Sequence, residues 1–333
     1  MTSIRRVAVV IVTYNTRALL AEALEAVRRE AASVMGRRSD RRVEVFVVDN
    51  ASSDGTGAWL AGLQREGFSL PLHLQLNEEN LGPARAYNQG VRRALASGVE
   101  ALLLLNSDTI LTEGCLRTLW EHLEANPHVA GVGGPLVNPD GTPQRTRKSI
   151  HRILPYWRTD RPHAVTFLGT GFKFVRAGAY EAVGLYDEFY YFYNEDLDWM
   201  TRAKRAGLVF HFHPDARAIH YGGGGRKQNV APIVRDLYRA NAYYFAKFYS
   251  PPVVRLALAL LRLELRLRIA RTARLLRRSR REEGQASGAT NLALSLEVLE
   301  AARANLEAFV AGGGLARARE AHRRESGDSS WHA

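Results

Sequence analysis

Short apolar runs alternate with helical patterns through the first half of the chain. The runs that favour β-strands occupy residues 7–12, 43–48, 72–76 and 101–105. The first run is apolar at every position, which is typical of a strand buried on both faces of a sheet. Apolar residues recur at helical spacing between the runs, within residues 19–27, 58–66 and 84–97. Strands that alternate with helices imply crossover connections, so we predict an α/β fold with a mainly parallel sheet.

The pattern changes after Asn126-Pro127. Residues 129–137 favour short strands, and Asn138-Pro139-Asp140-Gly141 is a hairpin-type turn signal. Residues 142–164 are rich in Arg, Thr and Pro and show little periodicity. We predict that this last segment forms a mobile loop.

The C-terminal part of the chain is predicted to be helical. Leucines and arginines occupy separate helical faces over residues 253–278, and residues 292–310 carry a second amphipathic pattern. Residues 280–290 between them are predicted to be a linker. We therefore expect a main domain at residues 1–250 and a basic helical extension at residues 251–333.

The net charge of the chain limits the kinds of partner that the protein is expected to bind. The chain has 333 residues, of which 46 are Lys or Arg and 34 are Asp or Glu, so its net charge is +12. A basic surplus points to nucleic acid, a membrane surface or anionic small molecules. Much of the surplus lies in residues 262–281 and 317–324, which contain scarcely any aromatic side chains for base stacking. A basic protein that binds nucleic acid is therefore the less favoured alternative.

The sequence also favours a cytoplasmic location. Cys115 is the only cysteine, so an internal disulfide framework is excluded. The apolar run after the N-terminus is too short for a signal peptide, and no stretch of about 18 uncharged apolar residues could span a bilayer. We expect no membrane span.

Polar and acidic clusters follow the apolar runs in a fixed order. Asp49-Asn50 and Asn106-Ser107-Asp108 each come directly after a predicted strand, followed later by Glu195-Asp196, Asp198 and His220. Open α/β sheets bind ligands beyond the carboxyl ends of their strands, where several such ends meet. The order predicts one metal-assisted transferase site.

Four segments carry a resemblance to a known family. They are residues 11–15 (IVTYN), 48–56 (VDNASSDGT), 77–90 (NEENLGPARAYNQG) and 105–108 (LNSD). Together they resemble family 2 of the inverting glycosyltransferases, with the rhamnosyltransferase-like enzymes of bacterial polysaccharide and cell-wall assembly as the most similar members. The likeness covers roughly residues 5–250. It implies a GT-A fold, in which a Rossmann-like, mainly parallel mixed sheet is flanked by helices, here with a C-terminal helical extension.

The resemblance also implies a nucleotide-sugar donor and its binding residues. In the family, the strand-end aspartate that matches Asp49 contacts the base, and residues about 1–125 bind the nucleotide while residues about 126–250 face the acceptor. The donor-binding residues that it implies are Thr13, Tyr14, Asn15, Asp49, Asn80, Gly82, Asn88, Asn106, Ser107 and Arg226. Lys227 and Arg235 are further cations that could neutralise phosphate.

A divalent cation, Mg²⁺ or Mn²⁺, is implied as cofactor. Asn106-Ser107-Asp108 stands where the family usually has Asp-x-Asp, and its first position departs from that motif. Asn106 adds no negative charge, so cation affinity must rest on Asp108 and other ligands. Oxygen donors suit both ions, and Mg²⁺ commonly uses few carboxylates besides substrate phosphates. His220 matches a histidine that can ligate the metal in related enzymes.

The catalytic base is expected in the segment Tyr193 to Trp199. Family members deprotonate the acceptor hydroxyl with the aspartate that matches Asp196, and Asp198 is the second candidate. Neighbouring carboxylates such as Glu195 can raise the pKa of one another, which suits proton abstraction. The first turn of a helix also favours acids through its dipole, which is an alternative reason for Glu195 and Asp198.

The donor sugar and acceptor are less defined by the residues. The resemblance favours rhamnose from dTDP-rhamnose, with UDP-sugars as alternatives, and a glycan or lipid-linked glycan as acceptor. A sugar nucleotidyltransferase would need a Gly-rich basic loop directly after the first strand, and residues 13–16 do not form one. A dehydrogenase would need a glycine motif that is absent there.

The helix at 253–278 could place the protein on the inner face of the membrane or form a homo-oligomer.

Overall fold

The computed structural model describes residues 3–144, 160–169, 171–222, 230–279 and 286–326. Residues 145–159 of the predicted loop and 280–285 of the predicted linker lie outside these ranges. The contacts divide the chain into two compact units. The first comprises Met1–Glu188 with Glu195–Gln228, and the second comprises Phe189–Asn194 with Asn229–Ala333.

The first unit contains strands and helices in alternation. Its strands are β1 Arg6–Thr13, β2 Arg42–Asp49, β3 Leu72–Leu76, β4 Ala101–Asn106, β5 Thr109–Leu111, β6 Val129–Gly133, β7 Leu136–Val137, β8 His163–Val165, β9 Phe172–Arg176, β10 Val209–Phe212 and β11 Ala218–His220. Its helices are α1 Arg17–Arg37, α2 Thr56–Glu66, α3 Pro83–Ala96, α4 Cys115–Ala125, α5 Ala177–Val183 and α6 Glu195–Arg205. The four apolar runs of the first half are all strands, as predicted.

Eight of the strands form a mixed sheet in the order β3-β2-β1-β4-β9-β6-β10-β8. The pairs β1·β2, β1·β4, β2·β3 and β6·β10 are parallel, whereas β9 is antiparallel to both β4 and β6. This mixed, mainly parallel sheet confirms the predicted fold class. Strand β8 corrects one expectation, because His163–Val165 pairs with β10 inside the segment that was predicted to be a loop.

The central strand β1 is buried on both faces because helices cover the sheet from both sides. Val7 and Val9 belong to a core cluster with the apolar residues of α1 and α4, and Ala8 and Val10 belong to a second cluster with those of α3. A Cβ on Gly90 of α3 would lie only 2.5 Å from Cγ1 of Val10. The glycine therefore lets α3 approach the sheet closely and fixes the helix above the ends of β1 and β2.

A small three-stranded sheet in the order β5-β11-β7 lies beyond the end of β4. Strand β11 is antiparallel to β5, and His220 is the register partner of Thr109. This pairing brings His220 next to Asp108, although the two residues are 112 positions apart in the sequence.

The second unit is helical. Its helices are α7 Val230–Phe248, α8 Pro251–Ser279, α9 Ala286–Ala311 and α10 Gly314–Ser326. The segment Phe189–Asn194 packs with them, since the ring of Phe189 stacks on that of Tyr243 at 3.8 Å between centroids. Helix α9 begins at Ala286, within the segment predicted to be a linker. The contacts group α7 with the later helices, whereas the predicted boundary at residue 250, which stays a prediction, separates them.

Helix α8 presents leucines on two sides. Val254, Leu258, Leu261 and Leu265 are buried, whereas Leu256, Leu260, Leu263 and Leu267 are each more than half exposed. The exposed leucines recur at intervals of three or four residues, as the sequence pattern predicted. Within the described ranges, no helix combines the length and apolarity that crossing a bilayer requires.

Candidate active site

Asp49 is the last residue of β2 and is almost fully buried. Its Oδ1 accepts a hydrogen bond from Oγ of Ser52 at 2.5 Å and another from the backbone N–H of Ser52 at 3.3 Å. Burial raises the pKa of Asp49, although the bonds from Ser52 act in the opposite direction. Ser52 therefore orients the carboxyl group at the strand end. Asp54 instead binds the backbone N–H groups of Arg17 and Thr56, at the starts of α1 and α2.

The loop after β1 connects several strand ends through side-chain hydrogen bonds. The hydroxyls of Thr13, Thr16 and Ser107 form a buried chain with O–O distances of 2.9 and 2.8 Å. Asn15 adopts a positive φ of 52°, and its Oδ1 accepts a backbone N–H from the loop after β2 at 2.7 Å. Tyr14 is half-buried. These contacts shape the donor side of the sheet edge, and a direct donor contact by these residues stays a prediction.

The Asn80–Gly82 loop is fixed by Asn50, for which the sequence suggested no separate role. Nδ2 of Asn50 donates to Oδ1 of Asn80 at 2.8 Å, and Oδ1 of Asn50 accepts the backbone N–H of Leu81 at 3.1 Å. Oδ1 of Asn80 also accepts the N–H of Gly82 at 3.0 Å, and Gly82 has a positive φ of 79°. The loop is thereby held beside the end of β2.

Asn88 is bonded to other parts of the protein, and its predicted contact with the donor stays a prediction. It is completely buried, its Nδ2 donates to the backbone O of Tyr186 and to Oε1 of Glu188 at 2.9 Å, and its Oδ1 accepts the N–H of Tyr186 at 2.9 Å. Both the nitrogen and the oxygen of the Asn88 side-chain amide are therefore bonded to residues within 186–188. These bonds favour a structural role over donor binding.

Asn106 is the last residue of β4, and a hydrogen bond from Tyr87 holds its side chain. Its Oδ1 accepts the phenolic hydrogen of Tyr87 at 2.9 Å. Burial, together with the charges of Asp108 and Glu195, raises the pKa of Tyr87 well above its ordinary value, so the phenol remains a donor. A Cβ on Gly171 would lie 2.5 Å from Nδ2 of Asn106. Glycine is required at position 171 for this close approach.

Asp108 and His220 form the pair that could hold a cation. Nε2 of His220 lies 3.3 Å from Oδ1 of Asp108, and both side chains are largely buried. Two ligand atoms of one octahedral ion, each at 2.0–2.1 Å from it, lie about 3 Å apart. The observed separation and the donor types fit a shared Mg²⁺ or Mn²⁺.

Gln144 orients the histidine of this pair, and no motif in the sequence points to this glutamine. Nδ1 of His220 lies 2.7 Å from Oε1 of Gln144, while the amide nitrogen of Gln144 donates to the backbone O of His220. A proton on Nδ1 bonded to Gln144 would leave Nε2, which faces Asp108, as the ligand atom for a cation. Histidines that bind metals are commonly oriented through their second nitrogen in this way.

The three acidic residues at the start of α6 have different surroundings. Asp196 is half-buried, and its Oδ1 accepts the N–H of Leu197 at 2.8 Å. Glu195 is buried. Asp198 is completely buried, and its Oδ1 accepts a 2.7 Å bond from Nε of Arg202. A carboxylate enclosed in this way cannot reach a substrate hydroxyl, so the structure favours Asp196 over Asp198 as the base.

Lys173 is a buried cation near these acids that the sequence analysis did not single out. Its Nζ lies 4.7 Å from the ring centroid of Trp199 and 5.1 Å from that of Tyr186. Within the described residues this nitrogen has no hydrogen-bond partner. Burial lowers the pKa of Lys173 to about 8, although the charges of Asp196 and Glu195 act in the opposite direction.

The two halves of the predicted site meet along the segment that precedes β9. The Cβ position of Gly171 faces Asn106, and the Cβ position of Gly169 lies 4.0 Å from Oδ2 of Asp196. Gly169 and Gly171 also line a cleft together with Gln144, which contacts His220. The donor-side and acceptor-side residues therefore share one region of the molecule. Arg226 and Lys227 lie outside the described residues, and Arg235 is exposed on α7.

Comparisons with known proteins identify the family of this chain. The profile described as glycosyl transferase family 2 matches residues 8–184. An N-acetylglucosaminyl-diphospho-decaprenol L-rhamnosyltransferase of Mycobacterium tuberculosis is 26% identical over an alignment of 245 residues, and the match covers 64% of this chain and 77% of that protein. The dTDP-rhamnosyl transferase RfbF of Shigella flexneri is 24% identical over an alignment of 226 residues, and the match covers 63% of this chain and 73% of that protein.

A solved structure with a similar fold is the mannosyltransferase PcManGT from Pyrobaculum calidifontis in complex with GDP-Man and Mn²⁺. The TM-score is 0.54 at 18% sequence identity, and the alignment covers 92% of this chain and 88% of that one. The match supports the GT-A-like fold. Because the family profile matches more than half of the chain, the protein belongs to glycosyl transferase family 2 and is a glycosyltransferase.

Proposed function

We propose that the enzyme transfers a sugar, with inversion, from a nucleotide-diphosphate donor to a hydroxyl group of a glycan or lipid-linked glycan. The observation that carries this proposal is the meeting of Asn106 and Asp196 at the two glycines before β9, with the Asp108–His220 pair directly after β4. Asp49 would contact the nucleotide base from the end of β2. Together these residues would form both sides of one displacement reaction.

The proton-transfer step is assigned to Asp196. The acceptor oxygen forms a bond to the anomeric carbon while the bond between that carbon and the diphosphate oxygen breaks. Asp196 takes the proton of the attacking hydroxyl, and the diphosphate leaves with the electrons of the broken bond. The buried ammonium group of Lys173 lies close enough to Asp196 for the carboxylate charge to act on the pKa of the lysine, which places a cation next to the proposed base.

Asp108 and His220 would hold the cation. When bound, a divalent cation supplies positive charge that stabilises the departing diphosphate. The 3.3 Å separation of the two ligand atoms and the orientation of His220 by Gln144 support this assignment. Mg²⁺ and Mn²⁺ both fit an oxygen and imidazole donor set, and Asn106 would contribute a neutral contact.

The donor is proposed to be dTDP-rhamnose. Two relatives that match about two thirds of this chain are described as rhamnosyltransferases. A panel of dTDP-rhamnose, UDP-sugars and GDP-mannose, measured by thermal shift with and without Mn²⁺, tests this, because a true donor stabilises the folded state by mass action. We expect the largest shift for dTDP-rhamnose with Mn²⁺, and a smaller one in Asp108→Ala. A larger shift with a UDP-sugar would replace the donor assignment, and no shift with any nucleotide sugar would contradict the proposed function.

Helix α8 is proposed to bind an anionic membrane surface on the cytoplasmic side. The exposed leucines of this helix form one stripe, which consists of Leu256, Leu260, Leu263 and Leu267. The last part of the helix carries arginines instead of leucines on this face, namely Arg271, Arg274 and Arg278. Leucines suit insertion at the lipid interface, and arginines suit anionic headgroups. The decaprenol in the name of one relative describes a lipid-linked acceptor, which would require access to a membrane.

Co-sedimentation with vesicles tests the membrane proposal. The double variant Leu260→Ser/Leu267→Ser should lose most binding to vesicles that contain phosphatidylglycerol, whereas Leu294→Ser, an exposed leucine of α9, should bind normally. Equal binding of both variants would contradict the proposal. A shift from dimer to monomer in the double variant, without any vesicle binding by the parent, would instead assign the stripe to self-association.

A further inference from the structure

Four histidines form a cluster between helix α4 and strand β10 that the transferase site does not use. His122 belongs to the last turn of α4, His128 precedes β6, His211 lies on β10 and His213 follows that strand. Side chains alternate between the two faces of a strand, so His211 and His213 lie on the opposite face of β10 from Phe212. Phe212 lines the cleft that contains Gly169 and Gly171, and the histidines are therefore on the other side of the sheet.

The ring of His122 lies close to the rings of both His211 and His213. Nε2 of His122 lies 3.0 Å from Nδ1 of His211. The ring centroids of His122 and His211 are 5.2 Å apart, and those of His122 and His213 are also 5.2 Å apart. Two imidazole nitrogens bound to one tetrahedral Zn²⁺ at 2.0–2.1 Å lie about 3.3 Å apart, with ring centroids roughly 5 Å apart. Binding of one ion by all three rings would require them to rotate, with Nε2 of His213 as its ligand atom, because Nδ1 of His213 accepts the backbone N–H of Asp215 at 3.3 Å.

The fourth ring and the protonation state agree with this geometry. The centroid of His128 is 6.0 Å from that of His211. Burial and the neighbouring histidines lower the pKa of His122 to about 4, and burial also lowers the pKa values of His211 and His213. The surroundings of His122, His211 and His213 thus favour neutral imidazole, which is the form that binds metals.

We propose that His122, His211 and His213 form a binding site for Zn²⁺ or a similar transition-metal ion, with His128 as a possible fourth ligand. The ion would replace the proton that His122 and His211 share. Imidazole ligands favour Zn²⁺, Ni²⁺ and Cu²⁺, whereas Mg²⁺ prefers oxygen, so this site is chemically distinct from the Asp108–His220 pair. A bound ion would join α4 to β10 and thereby stabilise that part of the sheet.

Calorimetric titration with ZnCl₂ tests the site, using the full chain without a histidine tag. The Asp108→Ala variant serves as the parent, because it removes the carboxylate of the other proposed cation site. We expect this parent to bind one equivalent of Zn²⁺, and we expect at least tenfold weaker binding after the addition of either His122→Gln or His211→Gln. His73→Gln is the matched control, because His73 stacks on Phe46 in another part of the sheet.

A second measurement keeps the test decisive if a variant folds poorly. Co²⁺ in place of Zn²⁺ should give the parent the visible absorption of a tetrahedral site with nitrogen ligands, and His73→Gln should keep it. No uptake of Zn²⁺ by the parent, or unchanged uptake by both cluster variants, would overturn the proposal.

Discussion

The buried ammonium group of Lys173 leads to a prediction about both stability and activity. Lys173 lies on β9, is completely buried, and contacts the rings of Tyr186 and Trp199 rather than an acceptor oxygen. Methionine has a similar length and no charge, so it can fill the same space. We therefore expect Lys173→Met to make the folded protein more stable near neutral pH and to impair the transfer reaction.

The size of the stability effect follows from the pKa. Burial lowers the pKa of Lys173 from 10.5 to about 8. At 1.36 kcal/mol for each pKa unit, burial disfavours the charged form by roughly 3 kcal/mol in the folded state. Contacts of the cation with aromatic rings oppose this by about 0.5–2 kcal/mol. We expect Lys173→Met to raise the free energy of unfolding by roughly 1–3 kcal/mol at neutral pH.

The pH dependence has a definite sign. Between about pH 8 and pH 10.5 the unfolded chain keeps the proton on Lys173 while the folded protein has lost it. The unfolded state binds more protons in this window, so the stability contributed by this group rises with pH. The variant lacks this rise, and its advantage over the wild type should shrink by roughly 2 kcal/mol between neutral pH and about pH 9.5.

Urea unfolding of the wild type and Lys173→Met at these two pH values measures the effect. Lys204→Met is the matched control, because Lys204 is an exposed lysine of α6. In the activity assay, loss of the positive charge near Asp196 and Glu195 should lower kcat/KM. A variant that is less stable than the wild type at neutral pH, or whose stability difference is the same at both pH values, would refute the reasoning.

Three further substitutions test the site. Asp196→Asn should lower kcat by about 10²–10⁴-fold, as expected for loss of a general base, and leave the affinity for the nucleotide sugar near normal in calorimetry; full activity would exclude Asp196 as the base. Asp108→Ala should weaken nucleotide binding in the presence of Mn²⁺ and have little effect in its absence, and identical titrations with Mn²⁺ would count against the cation site. Gly171→Ala should force Asn106 to move, because the new Cβ would lie 2.5 Å from its Nδ2. We expect a loss of about 1–3 kcal/mol in stability together with a loss of activity, and unchanged thermal unfolding would show that the close approach is not needed.

The strands and the position of the site could be predicted because they depend on local patterns. Runs such as residues 7–12 are apolar throughout only when both faces are covered, and polar residues directly after such runs lie at the carboxyl edge of a parallel sheet. Asp49 and Asp108 were placed at this edge by that reasoning, and both lie there. The pairing of β5 with β11 was not predictable, because it joins segments more than 100 residues apart.

The roles of individual polar residues were harder to predict, because the sequence does not reveal which partner occupies a side chain. Asn88 and Asp198 are residue types that often act in binding or catalysis. In the structure, however, the backbone of Tyr186 bonds the side-chain amide of Asn88, and Arg202 bonds the carboxylate of Asp198. For Lys173 the sequence suggests an ordinary surface residue, and the structure shows a buried one. A lysine next to phenylalanines in a strand suggests a solvated side chain, but β9 lies between β4 and β6 and both of its faces are covered.

The neutral Asn106 and the cationic Lys173 are complementary features of one charge distribution. The charges of Asp108 and Glu195 both reach the buried Tyr87, and those of Asp196 and Glu195 reach Lys173. A carboxylate at position 106 would add a further negative charge next to the phenolic hydroxyl of Tyr87, which donates to Asn106 at 2.9 Å. A neutral residue 106 avoids that charge, and the buried cation at position 173 offsets the charges already present. The departure from the family motif at Asn106 is therefore consistent with the charges that surround it.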